Sequence, residues 1–392
     1  MEAAGLSASE VERLVATRRD LHAHPELGWE ERRTAEVVSA RLGAAGYAPR
    51  AVRGTGVVAD LEGARPGRTV LLRADMDALP IAEETSHGFA SRAPGVMHAC
   101  GHDGHTAALL CAAERLAAGR ASLRGRVRLC FQPAEEGRGG AKALLEEGVL
   151  EGVERAFALH LWNELPTGSV ACADGPVWAA CDVFEAAIHG RGGHGGMPDL
   201  ARDPVVAAAH VVTALQTLVS REASPLDAVV VTVGKLSAGD TWNVIPDLAR
   251  LHGTCRSFDP ATHRALPERL ARVVRGVSEA LGCRAELEYR VICPPTVNDP
   301  AMAALARAAA TRALGPGGRV LREGPGTRAM VGEDFAFFLE RVPGALLLVG
   351  SRDESRGLVQ PHHSPRFDFD EGALPIAARL LEEVALAALE GA

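Results

Sequence analysis

Two kinds of apolar pattern alternate over residues 104–161, GHTAALLCAAERLAAGRASLRGRVRLCFQPAEEGRGGAKALLEEGVLEGVERAFALHL. Apolar residues at helical spacing predict helices over Gly104–Ala118 and Gly140–Glu147. Short β-rich runs predict strands over Arg126–Phe131 and Arg155–Leu161. Strands that alternate with helices in this way are typical of a layered α/β sheet, so we expect the α/β class.

The same alternation begins nearer the N-terminus. Ser9 is followed three residues later by Glu12, a capping-box spacing that predicts the start of an amphipathic helix. A second helix is predicted over Thr34–Leu42, and strands are predicted over Val57–Leu61 and Thr69–Ala74.

A different order of elements follows between Cys181 and Ile292. Asp203 before Pro204 supplies an N-cap and a first-turn proline for one of its helices. The predicted elements are a strand at Val183–His189, a helix at Pro204–Val219, strands at Ala228–Leu236 and Leu248–Cys255, a helix at Thr262–Leu281 and a strand at Ala285–Val291. This β-α-β-β-α-β order is that of the ferredoxin-like split unit.

Longer helices and an apolar strand return after Pro294, at Ala301–Leu314, Ala345–Val349 and Ala373–Leu389. A chain of 392 residues is also long enough for about two domains. We therefore expect a small α+β domain, residues 181–292, inserted into a larger α/β domain formed by residues 1–180 and 293–392.

Charge and composition exclude several classes of protein. The net charge of −8, with acidic and basic residues interspersed, argues against a nucleic-acid partner. No apolar run reaches 18 residues and no leader pattern is visible, so we expect a cytoplasmic protein that does not span a membrane. The eight cysteines are dispersed without C-x-x-C spacing, which predicts small core residues rather than a disulfide framework.

One cysteine stands apart from the others. The segment MHACGHDGH, Met97–His105, packs three histidines, a cysteine and an aspartate beside two glycines. Thiolate and imidazole are good ligands for borderline metal ions, so Cys100 and His102 are candidate ligands. The alternative is a core histidine satisfied by hydrogen bonds.

A pair of glutamates closes another predicted strand, in FQPAEEG, Phe131–Gly137. Adjacent glutamates usually lie on a solvated surface, but α/β sheets place their sites at the ends of buried strands. One of Glu135 and Glu136 could bind a metal ion while the other accepts a proton from water.

Other polar residues end predicted strands or lie in proline-bounded loops. His160 closes an apolar strand, and His362 and His363 lie between two prolines. Each alone is more often a satisfied polar residue, but together with the first cluster they provide enough N, S and O donors for two ions. Asp75 and Asp77 share a face at a strand end by the period-two rule, where they could orient ligands or simply form a charged turn.

The glycine-rich segment GRGGHGG, Gly190–Gly196, presents His194 directly after a predicted strand, as a substrate-contacting loop does. A phosphate-binding role is disfavoured because no lysine follows at Walker spacing and no GxGxxG turn is present.

Seven motifs taken together resemble a known family. They are RADMDALP, MHACGHDGH, FQPAEEG, GRGGHGGMP, DTWNVIPD from Asp240, GEDFAFF from Gly332 and HHSPRF from His362. In this order they resemble the amidohydrolase branch of the zinc exopeptidase-like superfamily, which includes hippurate hydrolase, bacterial N-acyl-amino-acid hydrolases and plant auxin-conjugate hydrolases. The resemblance runs from about Arg19 to the C-terminal helix.

The resemblance implies an α/β/α catalytic domain with an inserted ferredoxin-like lid and dimerisation domain, and hence a homodimer or a dimer-based oligomer. It implies two divalent ions, with Mn, Zn, Co and Ni all suitable, and N-acyl amino acids as substrates. Glu135 matches the general base, while His194 and Asn243 match residues that contact the substrate, and His194 would also help to stabilise the oxyanion. The matching metal ligands are Cys100, His102, Glu136, His160 and His363, the last preferred to His362 by its position in the motif.

Three alternatives remain open at this point. Cys100 could be a nucleophile activated by His102 or His105. The chain could be a dipeptidase or aminopeptidase, although Asp75 stands where the exopeptidases of the superfamily have a metal-binding histidine. It could also be a non-catalytic metal-binding relative, which would require that a ligand or the base be missing.

Overall fold

A computed structural model describes residues 5–390 of the chain. These residues divide into two compact units. The described residues of the first, the large unit, fall within Met1–Val177, Val297–Arg328 and Asp334–Ala392. The second, the inserted unit, consists of Trp178–Thr296 and Ala329–Glu333.

The α-helices of the described residues are, in chain order, α1 (Ala8–Ala23), α2 (Arg32–Ala44), α3 (His102–Ala118), α4 (Gly140–Glu146), α5 (Pro204–Thr217), α6 (Pro260–Ala280), α7 (Pro300–Leu314), α8 (Ala336–Leu339) and α9 (Ala373–Glu390). The strands are β1 (Arg50–Val52), β2 (Gly56–Glu62), β3 (Arg65–Asp75), β4 (Arg124–Gln132), β5 (Arg155–Pro166), β6 (Ser169–Ala171), β7 (Gly175–Trp178), β8 (Cys181–His189), β9 (Gly193–His194), β10 (Val229–Ala238), β11 (Val244–Ile245), β12 (Leu248–Ser257), β13 (Arg284–Cys293), β14 (Thr296–Asn298), β15 (Arg319–Leu321) and β16 (Gly344–Arg352).

Aspartate N-caps followed by proline begin three of the longer helices. The side chains of Asp203, Asp259 and Asp299 accept hydrogen bonds from backbone N–H groups in the first turns of α5, α6 and α7. Proline follows each aspartate at the first helical position, where its missing N–H costs nothing. The predicted start of α5 at Asp203-Pro204 is thereby confirmed.

The predicted start of α1 is wrong by two residues. The capping box is formed by Ser7 and Glu10, not by Ser9 and Glu12. The N–H of Ser7 donates to Glu10 Oε2 over 2.7 Å, and the N–H of Glu10 donates to Ser7 Oγ over 3.3 Å. Both pairs have the same spacing, so the sequence offered two registers for the first turn.

Replacing Ser7 by alanine should lower the free energy of unfolding of the large unit by about 1 kcal/mol, the usual cost of a lost N-cap. Ser9→Ala, in the exposed first turn, is the matched control and should change it by less than about 0.5 kcal/mol. The bonds from Ser7 lower the pKa of Glu10 to about 2 from its ordinary 4.5. The difference in the free energy of unfolding between Ser7→Ala and wild type should therefore become smaller as the pH falls from 4.5 towards 2, because Glu10 becomes protonated in the folded protein. Urea denaturation curves at several pH values measure both effects, and equal effects of the two substitutions would contradict the assignment.

A mixed sheet forms the centre of the large unit. Within residues 5–390 its strand order is β1-β2-β4-β3-β5-β16-β6-β15. The four central strands, in the order β4-β3-β5-β16, are parallel to one another. Asp75 pairs with Gln132 in register, and Arg73 pairs with Ala158, so the carboxyl ends of β3 and β4 lie level with the middle of β5.

Helices cover this sheet and close its core. Helix α9 packs against both α3 and α7, and α3 and α9 contact the central strands. A second group, α4 and the short helix α8, packs together, and α4 contacts β4. The apolar run Ala107–Ala113 of α3 and the leucines of α9 supply much of the core. The predicted α/β class is confirmed.

The inserted unit has its own four-stranded antiparallel sheet, of order β10-β12-β8-β13, with α5 and α6 packed on it. Counted within the unit, the strand order is second, third, first and fourth, which is the order of the ferredoxin-like split unit. The predicted inserted α+β fold is confirmed. The assignment of residues 1–180, 181–292 and 293–392 to domains with separate roles stays a prediction.

The predicted elements lie within a few residues of those observed, but several short strands were missed. Examples are β6, β15 and the two-residue strands β9 and β11. Strands this short carry too few residues for a two-residue period to be visible. Among the helices of residues 5–390, none is both long and apolar enough to cross a bilayer.

Candidate metal centre

Two glycines shape the segment that carries Cys100 and His102. Gly101 is the N-cap of α3 and has φ of 88°, a left-handed conformation that glycine adopts without strain, so His102 becomes the first residue of the helix. A Cβ at Gly104 would lie 2.5 Å from Leu161 and 2.8 Å from Phe369. The helix start therefore packs closely on β5, beside His160.

Two groups of donor atoms lie together at this edge of the sheet. The first, position A, consists of Cys100, His102 and His160, and the second, position B, consists of Cys100, Glu136 and His363. Within each group the donor atoms lie within 4.8 Å of one another. Cys100 belongs to both groups, so its sulfur lies between the two positions. Four segments distant in the sequence supply these residues.

The separations between donors fit a metal ion. Cys100 Sγ lies 3.5 Å from His160 Nε2, and His363 Nε2 lies 3.3 Å from Glu136 Oε1. Ligands held about 2.0–2.3 Å from a tetrahedral ion are separated from one another by about 3.3–3.8 Å. Both pairs therefore stand close to the separation that two ligands of one ion would have.

The two buried histidines are oriented as metal ligands are. His102 Nδ1 lies 2.9 Å from the carbonyl oxygen of Asp77, and His160 Nδ1 lies 2.6 Å from that of Leu161. A proton on each Nδ1 is used in these bonds, which turns each Nε2 towards the donor cluster. Among the described residues, His102 Nε2 is buried without a hydrogen-bond partner. A buried ring nitrogen left without a partner is costly, so the donor set fits a metal ion at this position.

Asp77 positions the two glutamates. Its carboxylate accepts the backbone N–H of Glu135 at Oδ1 and that of Glu136 at Oδ2, each over 3.0 Å. Ala134 before them has φ of 58°, a left-handed conformation that turns the chain sharply after β4. Asp77 itself lies two residues beyond the end of β3, not within the strand. One carboxylate thus fixes the backbone of both glutamates.

Asp75 lies beneath the cluster in a buried ionic network. Its Oδ1 lies 2.6 Å from His105 Nδ1, and its Oδ2 accepts a bond of 2.7 Å from Arg73. Arg73, fully buried in β3, also donates to Gln132 over 2.9 Å and to Asp334 over 3.0 Å. His105 Nε2 accepts the N–H of Leu161 over 2.9 Å, so both its ring nitrogens are used in holding the strands.

The two neighbouring histidines of HHSPRF take different environments. His362 is stacked on the indole of Trp162, with ring centroids 4.8 Å apart, and its Nε2 lies 2.9 Å from the carbonyl oxygen of Leu161. Burial lowers its pKa to about 3. His363 has φ of 65° and a side chain that is 53% exposed, and it is the one that faces Glu136.

The electrostatics of the centre favour a cation. Burial, followed by the carboxylates of Glu136 and Glu135, raises the pKa of the Cys100 thiol well above its usual value. Burial and neighbouring imidazoles lower the pKa of His160 well below its usual value, which keeps the ring neutral. A divalent ion would relieve the crowding of negative charge and stabilise the thiolate.

Neighbouring charges also set the ionisation of His102 and Asp75, two other buried groups at the centre. Burial opposes protonation of His102, but the carboxylates of Asp75 and Asp77 outweigh it and raise its pKa to about 10. Burial likewise opposes ionisation of Asp75, but His102, His105 and Arg73 outweigh it and hold the pKa of that carboxyl well below its usual value. Asp75 is therefore an anion beneath position A.

In the inserted unit, His194 and Asn243 are brought together. The short strands β9 and β11 pair so that Val244 lies opposite His194, and the N–H of Gly195 donates to the carbonyl oxygen of Asn243 over 2.8 Å. His194 Nδ1 accepts the N–H of Gly196 over 2.9 Å. Both side chains are exposed on this unit.

Sequence reasoning missed the buried cations that support the centre. Arg73 lies inside a predicted apolar strand, and Arg18 lies on the buried side of α1. For Arg73 the available signal was a charged residue between Leu72 and Ala74, because charges are almost never fully buried unless paired. Arg18, between Thr17 and Arg19, gave no such signal.

Comparisons with known proteins agree with this arrangement. An N-acetylcysteine deacetylase of Bacillus subtilis (strain 168) is 41% identical over 380 residues, which cover 96% of this chain and 97% of that protein. The protein named IAA-amino acid hydrolase ILR1-like 4 of Arabidopsis thaliana is 41% identical over 374 residues, covering 94% of this chain and 83% of that protein. The solved structure of the YxeP protein of Bacillus subtilis, described as a dinuclear metal-binding peptidase of the M20 family, matches with a TM-score of 0.86 and 36% identity over 98% of this chain and 99% of that chain.

These likenesses confirm the resemblance that the motifs indicated. A family model described as peptidase family M20/M25/M40 matches residues 71–387, which include the donors of both positions. Since that match takes in most of the chain, and relatives are about 40% identical over nearly its full length, the protein belongs to peptidase family M20/M25/M40.

Proposed function

We propose that this protein hydrolyses the amide bond of N-acyl amino acids at a centre of two divalent metal ions. The ligands would be Cys100, His102, Glu136, His160 and His363, and Glu135 would be the general base. Mn, Zn, Co and Ni all suit a set of one thiolate, three imidazoles and one carboxylate.

The observation that carries this proposal is the meeting of two donor groups at a shared cysteine, with a second glutamate beside them. Glu135 belongs to a donor group with His102 and Glu136, so its carboxylate lies at the edge of the same cluster. Its Oε1 also accepts the N–H of Asp334 over 3.2 Å, which fixes one oxygen of the carboxylate. The other oxygen is the one we assign to proton transfer.

Bound at these positions, the two ions would supply Lewis-acid activation of a water molecule and of the amide carbonyl. Glu135 would remove a proton from the attacking water and deliver it to the departing amine nitrogen. Asp77 would hold Glu135 at the correct distance through their backbone bond. Asp75 would keep His105 and the start of α3 in place behind the ligands.

The inserted unit would serve as a lid and a dimerisation module of a homodimer. We assign to His194 the stabilisation of the developing oxyanion, and to Asn243 a contact with the substrate. Their adjacency at the paired strands β9 and β11 supports a joint role, because one movement of this strand pair would carry both. The substrate would be a small molecule, and the protein would act in the cytoplasm without nucleic acid or membrane.

Chelation and reconstitution test the proposal. We expect protein treated with EDTA to lose hydrolysis of N-acetylmethionine, N-acetylcysteine, hippurate and indole-acetyl-alanine, and we expect added Mn or Zn to restore it on at least one of them. Release of the free amino acid is measured by mass spectrometry. Bound ions without hydrolysis of any member of the panel would contradict the proposed activity.

The same experiment separates the alternative with a cysteine nucleophile. A thiol mechanism would leave chelated protein active, because no ion is needed. The geometry supports a metal centre over a base at His102 or His105, because both ring nitrogens of His105 are engaged and Nδ1 of His102 lies 2.9 Å from the carbonyl oxygen of Asp77. A free dipeptide in the panel tests the peptidase alternative, which the family's name keeps open.

A further inference from the structure

One arginine joins the two segments that carry ligands on opposite sides of the centre. Arg18, on α1, has a fully buried guanidinium with a relative exposure of 0%. Its Nε donates to Asp103 Oδ2 over 2.9 Å, and one terminal nitrogen donates to Asp368 Oδ1 over 2.8 Å. The other terminal nitrogen donates to Glu371 Oε1 over 3.3 Å. The rings of Phe89 and Phe369 lie 4.8 and 4.3 Å from the guanidinium carbon.

These carboxylates belong to the ligand-bearing segments. Asp103 follows His102 in the first turn of α3, so it is adjacent to a ligand of position A. Asp368 and Glu371 follow His363, the exposed ligand of position B, on the loop of residues 360–371. Arg18 therefore bonds to both sides of the centre without contacting either donor group.

The loop of residues 360–371 depends on such anchors. It contains no helix or strand. Apart from the bond to Arg18, Asn163 donates from Nδ2 to the carbonyl oxygens of Gln360 and Asp368, each over 2.9 Å. The N–H of His363 donates to the carbonyl oxygen of Ala99 over 2.8 Å. The ring of Phe369 lies 4.3 Å from the guanidinium carbon of Arg18, which fixes the far end of the loop against α1.

These anchors keep His363 in one position, and the loop would lose that fixed position if an anchor were removed. Position A is built from a helix start and a central strand, which hold their donors without the loop. Position B has one donor on the loop and so depends on it. Removing an anchor should then change the affinity for one ion and leave the other unchanged.

We propose that Arg18 is a positioning residue of the metal centre, which acts through Asp368 to hold His363 at position B. The inference rests on the proposed two-metal centre and adds to it a residue that contacts neither ion nor substrate. Outer partners of ligands typically change metal affinity by about 10–100-fold when they are removed. We expect a loss of that size, confined to position B.

Asp368→Asn is the sharpest test. It keeps the volume of the side chain but removes the charge that bonds to Arg18 over 2.8 Å and to His87 over 3.0 Å, and it leaves the bonds of Arg18 to Asp103 and Glu371 in place. Arg18→Met is the second variant and is more disruptive, because within residues 5–390 it leaves the buried carboxylate of Asp103 with His22, 2.8 Å away, as its remaining side-chain partner. Asp60→Asn is the matched control, because Asp60 accepts two bonds of 2.8 Å from Arg128 in the same unit, four residues before the end of β4.

The readout is the binding of Co²⁺ or Mn²⁺ to the metal-free protein, followed by isothermal titration, with the thermal unfolding curve recorded beside it. We expect wild type and Asp60→Asn each to bind two ions, and we expect the two affinities of Asp60→Asn to equal those of wild type. We expect Asp368→Asn to keep one tight ion and to bind the second about 10–100-fold more weakly, with little change in the unfolding temperature of the metal-free protein.

The possible failures are distinguishable. If wild type binds no ions, the proposed centre and the inference both fall. If wild type binds two ions and Asp368→Asn binds both with unchanged affinity, only the positioning role is overturned. An equal loss of affinity for both ions, or the same loss of affinity in Asp60→Asn, would show a general effect on the fold. Either result would also overturn the positioning role.

Discussion

Replacing Glu135 by glutamine should lower the turnover number of the metal-loaded protein by about 10²–10⁴-fold, the usual contribution of a general base. Glutamine keeps the size of the side chain and can keep the backbone bond to Asp77, but its amide cannot take a proton from water. The proposed ligand Glu136 is unchanged, so the variant should still bind two ions. The rate of release of the amino acid from N-acetylmethionine, measured at saturating substrate, gives the effect.

Two controls are needed for the assignment of Glu135 as the general base. Metal content should be measured in the same preparation, because a loss of ions would lower the rate for a different reason. Glu12→Gln, an exposed substitution on α1, should leave the turnover number unchanged. If Glu135→Gln keeps a rate near that of wild type with both ions bound, another group must accept the proton.

Cys100→Ala should have the largest effect on metal binding. Its sulfur belongs to both donor groups, so its removal takes a ligand from each ion at once. Outer partners alone are worth about 10–100-fold in affinity, and a direct ligand shared by two ions should therefore cost at least about 100-fold for each. Hydrolysis should fall with the loss of the ions. Metal content after dialysis against a metal buffer, measured by plasma mass spectrometry, tests the expectation.

Cys111→Ala provides the matched control for Cys100→Ala. Cys111 lies on the same helix α3, is 4% exposed and packs in the core of the large unit. Its loss should lower stability by the cost of a small cavity but should leave both ions bound. Two ions retained in Cys100→Ala would remove the cysteine from the ligand set and would reopen a nucleophilic role.

Much of the fold could be predicted because the apolar periods are strong. The run Arg155–Leu161 and the helix Gly104–Ala118 each have enough residues to show their period, and the Asp-Pro pairs mark helix starts. The start of α1 could not be settled in this way, because Ser7-Glu10 and Ser9-Glu12 have the same spacing, and the burial of Leu6 directly before Ser7 is visible only in the folded chain. The short strands of two or three residues left no period to detect.

The candidate donors could also be proposed from the sequence, because cysteine, histidine and glutamate cluster at predicted strand ends. Sequence alone could not show that Asp77 holds the backbone of both glutamates, nor that His105 has both ring nitrogens engaged. These facts depend on which backbone groups meet when strands and loops pack. The metal assignments themselves stay proposals until binding is measured.

The sequence by itself determined the α/β class, the inserted β-α-β-β-α-β unit and the chemical types gathered near the strand ends, because hydrophobic period and residue type are local properties of the chain. His363, which the motif already preferred to His362, is the one that faces Glu136 in the structure. Only the tertiary structure decided that Arg18 joins Asp103 to Asp368, 265 residues further along the chain. A buried cation takes its partners by their position in space, which is set by the packing of distant segments and corresponds to no local pattern in the sequence.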